Sequence, residues 1–265
     1  MQFYSITLKV KNWSRLQSAN PAIFRVVLNA ISYKIYSLGD AGITLDLGNV
    51  IDQKLNRKVL AMHEWLQKET FPGICEIVVG YSSITILYDA FLVSQKNKVR
   101  TSVFDFVKNK LESAFNGSSE EVDASHTKVT VPVCYEDEFA HDLQFVSETT
   151  GMTPQEIVRI HTSKEYYVFM IGFIPGFAYM GELDEQIQVP RKERPEMVSA
   201  GSVGIASGQT GIYPLESPGG WHIIGRTPLK LFDKDSKRPV LFSPGQHVQF
   251  QPITRKGFEQ WQSPS

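Results

Sequence analysis

Twelve of the fourteen prolines and thirteen of the nineteen glycines of this 265-residue chain lie beyond residue 128. Glycine permits positive φ and close backbone approach, while proline fixes φ and removes a donor. Short apolar runs, Phe169–Phe173, Val203–Ala206 and Trp221–Ile224, alternate there with the turn clusters Ile174-Pro175-Gly176, Gly208-Gln209-Thr210-Gly211 and Ser217-Pro218-Gly219-Gly220. At this density they specify tight turns between short strands. Val129–Cys134 and Tyr166–Phe173 read as strands, and Leu229–Phe232, Val240–Ser243 and Val248–Ile253 as closing strands. Asp137–Thr149 reads as a helix. A second helix starts at Thr153, with Thr153 as N-cap and Pro154 in its first turn, and runs to about Ser163. Residues 129–255 are therefore expected to form a mostly antiparallel β-barrel with one or two covering helices, followed by a tail at 256–265.

The preceding half has a different rhythm. Tyr33–Leu38 and Ile43–Leu47 alternate about a Gly39-Asp40 turn, which predicts paired strands. Asp52 is placed to cap a helix over Gln53–Glu69, with Val59, Leu60, Met62, His63 and Leu66 on its buried face. Strands at Ile74–Val79 and Ser83–Tyr88 follow, then a helix over Val103–Phe115 with Phe104, Val107, Leu111 and Phe115 on one stripe. Strands and helices interleave, so residues 31–115 are expected to be a small α/β domain and the whole chain α+β. The polar, small-residue run 116–128 is the expected linker. Residues 1–30 hold Lys9, Lys11, Arg15 and Arg25 but no acid. Such a start has features of an organelle transit peptide, without the apolar core of a secretory signal. The expectation is an atypical extension, mobile or added by an upstream start codon, outside the fold.

Lys plus Arg at 27 against Asp plus Glu at 28 leaves a net charge of −1, which offers no electrostatic case for nucleic acid or an anionic membrane. No apolar stretch approaches the ~20 residues that cross a bilayer. Cys75 and Cys134 are far apart, in no metal or redox spacing, and read as buried free thiols of a reducing, cytoplasmic compartment. The six histidines form no HxxxH or HExxH, so no metal site is expected. There is no GxxxxGK[ST] phosphate loop, no GxGxxG after a strand, and no GxSxG elbow. What remains is a set of neutral and basic hydrogen-bonding groups. Arg191 and Arg226 can each present a fork of donors to a carboxylate or phosphate, or else brace loops. The runs Ala200–Gly204 and Ser217–Gly220 can offer backbone N–H groups to an oxyanion. Ser202 and Gln209 can fix an amide or a small acid. Trp221 reads as core, His63 as a packed histidine, and His161 as a partner of its helix dipole.

The runs Gly172-Phe173-Ile174-Pro175-Gly176-Phe177, Ala200-Gly201-Ser202-Val203, Gln209-Thr210-Gly211-Ile212-Tyr213-Pro214, Ser217-Pro218-Gly219-Gly220-Trp221 and Gly225-Arg226-Thr227-Pro228 resemble one family. It is that of allophanate hydrolase subunit 1, also called the KipI family or the 5-oxoprolinase B subunit (PxpB) family. Ser37-Leu38-Gly39-Asp40, Ile51-Asp52 and His161-Thr162 match its earlier part, so the resemblance spans about residues 31–253. It implies an α/β domain followed by a cyclophilin-like barrel. It also implies one member of an ATP-dependent 5-oxoprolinase complex that opens a lactam to a carboxylate, active only with homologues of the C and A subunits of that enzyme. ATP would belong to the complex, with its site on this chain or on a partner. Two other roles occur among relatives: inhibition of a sensor histidine kinase, and a carboxyltransferase or allophanate hydrolase component of urea-type metabolism. Under this resemblance Arg191 and Arg226 grip anionic groups, and Gly201 and Ser202 stabilise an oxyanion or phosphorylated intermediate. Gln209, Tyr213, His222, Tyr179, Phe173, Pro175 and Gly176 line the substrate pocket. The chain departs from the family pattern at Glu196, where a basic residue is usual, at Ser199 (proline) and at Gln246 (aspartate).

Overall fold

In a computed structural model, which describes residues 4–5, 31–100, 102–118 and 128–261, the chain divides into two compact units, Met1–Val122 and Asp123–Ser265. The first unit is a five-stranded antiparallel sheet of β1 (Tyr4–Ser5), β2 (Lys34–Ser37), β3 (Gly42–Asp46), β4 (Ile74–Val79) and β5 (Ser83–Tyr88), in the order β1-β2-β3-β5-β4. Period-2 alternation buries Ile84, Ile86 and Tyr88 of β5 on one face. Onto that face pack α1 (Gln53–Lys68) and α3 (Val103–Gly117), whose Val59, Met62, Leu66, Val107 and Leu111 join the strand side chains in one core. Each such side chain contributes on the order of 1.5–3 kcal/mol when fully buried. Asp52 caps α1 as expected, its Oδ1 accepting from the Leu55 N–H at 2.8 Å.

The buried face of α1 also holds two residues that periodicity alone does not select. Asn56 donates to the carbonyls of Gly80 and Tyr81, and Lys58 donates from Nζ to the Ser118 carbonyl at 2.9 Å. Leu60 and His63 are only half-buried. A short helix, α2 (Ala90–Lys96), goes beyond the sequence reading; its signal is the Asp89 cap, which accepts from the Leu92 N–H at 2.9 Å. Cys75 is exposed, contrary to the expectation, because it lies on the edge strand β4; Cys134 is buried, and both thiols are free.

The second unit is a closed seven-stranded barrel, ordered β10-β11-β8-β7-β14-β6-β13. Its strands are β6 (Lys128–Cys134), β7 (Glu165–Ile171), β8 (Ala178–Gly181), β10 (Ser202–Ala206), β11 (Gln209–Ile212), β13 (His222–Arg226) and β14 (His247–Ile253). All neighbours are antiparallel except the parallel pair β6–β14. A two-stranded ribbon of β9 (Glu196–Val198) and β12 (Ser217–Gly219) is separate. Helix α4 (Leu143–Thr150) packs on β13 and α5 (Pro154–Thr162) on β14. At the start of α5 the expected Thr153 cap is part of a full capping box: the Glu156 N–H donates to Thr153 Oγ1, and Thr153 N–H donates to Glu156 Oε2.

The helix expected over Asp137–Thr149 is broken: a single 3-10 turn at Asp137–Phe139 precedes α4. Asp142 sits where an N-cap belongs, but its carboxylate accepts instead from the Ile223 N–H at 2.6 Å. The closing strands Leu229–Phe232 and Val240–Ser243 reduce to one bridge, Phe232 to Val240. Pro228, Pro239 and Pro244 flank them and lack donors for a ladder. The tail begins as helix α6 (Arg255–Glu259), anchored by Phe258 against Phe139 at 4.4 Å and by an Arg255–Glu138 ion pair. Residues 116–117 belong to α3, Ser118 is its C-cap and Lys128 belongs to β6, while the rest of the expected linker, 119–127, lies outside the described residues. Apart from Tyr4–Ser5, so does the N-terminal extension.

His161 is also more than a helix-end charge. It is fully buried in the barrel core, stacked on Phe250 at 4.5 Å. Thr210 Oγ1 donates to the Gly204 carbonyl at 3.1 Å, so it must accept from His161 Nε2–H at 3.0 Å. His161 Nδ1 then accepts from the Tyr135 hydroxyl at 2.9 Å. The chain of bonds is complete with a neutral imidazole, and burial pushes the His161 pKa down to about 3.

Candidate functional site

A cleft of about 520 Å³ opens in the second unit, between β8, the β10–β11 turn and the β12 ribbon. Its base is a small core of its own, centred on Phe177, Tyr213 and Trp221. Phe177 is the hub: its ring meets Tyr179 at 4.7 Å, Tyr213 at 5.0 Å, Trp221 at 5.4 Å and Phe173 at 5.9 Å, all near edge-to-face. The Tyr213 ring lies so close over Gly219 that an added Cβ would sit 2.5 Å from its hydroxyl. Only glycine fits there, which explains why the turn cluster Ser217–Gly220 borders the cleft. The Tyr213 hydroxyl accepts from the Trp221 backbone N–H. Burial raises the pKa of Tyr179 and of Tyr213, against the opposing pull of Arg191. Both therefore line the cleft as neutral phenols.

Among the described residues, four other than glycine have positive φ, and two of them border this cleft, Phe173 at 65° and Ser207 at 52°. Strain of this kind, worth on the order of 1–3 kcal/mol, concentrates where a chain must present a side chain in a set direction. Phe173 is 63% exposed at the rim. Arg191 supplies the positive charge. Its guanidinium lies beside Gly220, and among the described residues no carboxylate pairs with it.

The structure thus brings together Arg191, Gln209, Tyr213, Tyr179 and Phe173, five of the residues proposed from sequence. Pro175 and Gly176 sit in the turn between lining residues Ile174 and Phe177 but do not line the cleft themselves. Gly201, Ser202, Arg226 and His222 are not in its lining either, and each has a structural task. Gly201 N–H donates to the Tyr213 carbonyl and Ser202 N–H to the Ser199 carbonyl, so neither amide is available as an oxyanion donor. Gly201 has φ +83°, and a Cβ there would run into the Thr227 carbonyl oxygen. Arg226 Nε donates to the Ala200 carbonyl at 2.8 Å, the loop-bracing role. His222 is buried, stacked on Phe145, and donates from Nε2 to the Pro190 carbonyl at 3.0 Å.

Sequence reasoning missed Ile174, Phe177, Pro195, Ala206 and Ser207 as lining residues, although Ile174 falls within a turn cluster already singled out; the Ser217–Gly220 run, put forward as an oxyanion site, does line the cleft. Trp221, read as core, is both core and cleft wall. The departures from the family pattern lie off the cleft lining: Glu196 pairs with Lys192 at 2.6 Å, and Gln246 Oε1 accepts from the Ser243 N–H within its own turn. Among the described residues there is no cluster of three or more metal-ligating side chains.

The closed barrel thus carries an aromatic cleft with the Arg191 guanidinium on its lining, unpaired with any carboxylate among the described residues. The chain belongs to the family described as carboxyltransferase domain, subdomain C and D, which matches residues 33–242. It is 36% identical over 237 residues to the 5-oxoprolinase B subunit of Bacillus subtilis (strain 168), covering 89% of this chain and 99% of that protein. It is 32% identical over 220 residues to the 5-oxoprolinase B subunit of Escherichia coli O157:H7, covering 83% and 95%. Among solved structures, TTHA0988 superposes with a TM-score of 0.69 at 29% identity, covering 84% of this chain and 41% of that one. The K. lactis urea amidolyase shares the fold, with a TM-score of 0.68 at 19% identity over 86% of this chain and 15% of that one.

Proposed function

We propose that this chain is the B subunit of an ATP-dependent 5-oxoprolinase, which opens the lactam of 5-oxoproline to glutamate and acts only with partner chains homologous to the C and A subunits. The observation that carries the reading is Arg191, a guanidinium with no carboxylate partner among the described residues, on an aromatic-walled cleft in a chain that matches 5-oxoprolinase B subunits over nearly their whole length. 5-Oxoproline is a flat five-membered ring with one carboxylate and one cyclic amide. Arg191 matches the carboxylate as a two-pronged donor. The Gln209 carboxamide matches the lactam, and Tyr179, Tyr213 and Trp221 cover the ring and keep water from its faces. The cleft is larger than one such ring fills, which leaves room for reacting groups contributed by an assembled partner.

A triphosphate does not fit the same residues. Among the described residues Arg191 is the one cation in the cleft lining, the amides of Gly201 and Ser202 are bonded within the fold, and Lys192 is held by Asp142 and Glu196. We therefore assign ATP to the assembled complex. No helix among the described residues is long and apolar enough to cross a membrane. We place the protein in the cytoplasm, whose reducing conditions suit the exposed, free Cys75.

The test is reconstitution. The chain is co-expressed with homologues of the C and A subunits, and ATP-dependent glutamate formation from 5-oxoproline is measured. Activity that requires all three chains and is lost in Arg191→Ala supports the reading. An assembled complex without activity, or an Arg191→Ala complex with full activity, overturns it.

A further inference from the structure

Arg191 is exposed, yet the residues on either side of it are firmly held. His222 Nε2–H donates to the Pro190 carbonyl at 3.0 Å. The Lys192 N–H donates to the Gly220 carbonyl at 2.8 Å. Lys192 Nζ reaches Asp142 Oδ2 at 2.9 Å and Glu196 Oε2 at 2.6 Å. Asp142 is itself fixed to β13, its Oδ2 accepting from the Ile223 N–H at 2.6 Å and its N–H donating to the Ile223 carbonyl at 2.9 Å. Residues 190–192 are thereby tied at several points to 220–223, the segment that carries Trp221 of the cleft wall.

The Lys192–Asp142 pair is not an ordinary surface contact. The two side chains are only 14% and 17% exposed. Burial opposes the Lys192 charge, but the hydrogen bonds it donates to Glu196 and Asp142 outweigh it and leave its pKa raised. Removing one partner would strand the other charge in a partly desolvated place. Fold bracing alone would call for such a pair anywhere in the unit. Here the anchors converge on the two neighbours of the cleft's cation.

We propose that Asp142, Lys192 and His222 are positioning residues that hold the Arg191 guanidinium in register with the aromatic wall, and so set the affinity of the cleft for its anionic ligand. The proposal rests on the reading that Arg191 grips the substrate carboxylate. A long side chain on a loose anchor must lose more freedom on binding, so loosening weakens binding more than turnover.

Two measurements test it. In the reconstituted complex, Lys192→Met and His222→Phe raise KM for 5-oxoproline about tenfold while kcat stays within about threefold. Lys192→Arg and His222→Gln, which keep the cation and the donor, recover most of the loss. On the chain alone, hydrogen exchange in peptides spanning residues 190–193 is at least about tenfold faster in Lys192→Met, with barrel strands β7 and β14 unchanged. Wild-type KM in both variants, or wild-type exchange at 190–193, overturns the proposal. So does a joint fall of turnover and global stability without rescue. If Lys192→Met does not fold, His222→Phe, which preserves the stack on Phe145, carries both measurements. If the wild-type complex does not turn over 5-oxoproline, the functional reading fails, and the exchange experiment still decides whether the clamp exists.

Discussion

His161 makes the stability of the second unit depend on pH in a calculable way. Its imidazole is buried, neutral and bonded at both nitrogens, with a folded pKa of about 3 against an ordinary 6.5. Between those values the unfolded chain binds the proton and the folded chain does not. Stability therefore falls as pH drops below about 6.5 and levels off only near pH 3. Linkage gives a loss of about 2 kcal/mol between roughly pH 7.5 and pH 5, and any folded pKa below about 4 yields nearly the same figure. His222, whose pKa is also lowered by burial, adds to the slope. A variant removes its share from the comparison. In His161→Gln the amide can donate to Thr210 and accept from Tyr135 but does not titrate. We expect it to be less stable at neutral pH by about 1–3 kcal/mol, from the lost stack on Phe250 and the lost tilted contact with Tyr166. We also expect it to lose about 2 kcal/mol less than wild type on acidification. Pulse proteolysis in urea, read by mass spectrometry on peptides of the second unit, measures both. Equal losses in wild type and His161→Gln would refute the assignment of a neutral, core-locked imidazole.

Three further outcomes follow from the geometry. Arg191→Ala in the complex should lower kcat/KM for 5-oxoproline by about a hundredfold, with Arg191→Lys intermediate because it keeps charge but not the fork; steady-state kinetics decide this, and melting temperature should not move. Gly219→Ala forces a Cβ against the Tyr213 ring, and should destabilise the second unit by about 1–3 kcal/mol and weaken ligand binding, both readable by urea titration and calorimetry. Thr153→Ala removes the capping box of α5 and should cost about 1 kcal/mol, measured as a shift in the urea midpoint with an unchanged slope.

The elements most legible in the sequence were those governed by short-range rules. Asp52, Thr153 and Pro154 marked helix starts because a cap is made by a side chain within three residues of the amide it satisfies. The alternation of Ser83–Tyr88 marked a half-buried strand. The turn clusters around Pro175, Gly208 and Gly219 marked the loops that border the cleft. The misreadings had long-range causes. Asp142 looked like part of a continuous helix, but Ile223, eighty-one residues away, takes its carboxylate. Asn56 and Lys58 fell outside the apolar stripe of α1, and only the carbonyls of Gly80, Tyr81 and Ser118, brought to them by the fold, explain their burial.

The same division separates the site residues. Glycine and proline density, the N-terminal periodicity and the ordered motifs between Gly172 and Pro228 were enough to specify an α/β unit followed by a barrel, and to name the family. They could not say which of two arginines meets a ligand. Arg191 and Arg226 are equivalent in what their side chains offer: each is a fork of donors. Closing the barrel tied Arg226 Nε to the Ala200 carbonyl, away from the cleft lining, and put Arg191 at the cleft with no carboxylate in reach among the described residues. It likewise gave the amides of Gly201 and Ser202 to Tyr213 and Ser199, and turned His222 from a pocket candidate into an anchor for Pro190. Local sequence sets what a residue can offer, because donors, acceptors and backbone freedom are properties of the residue. Whether the offer is already taken depends on partners far away in the chain, and only the tertiary structure supplies those.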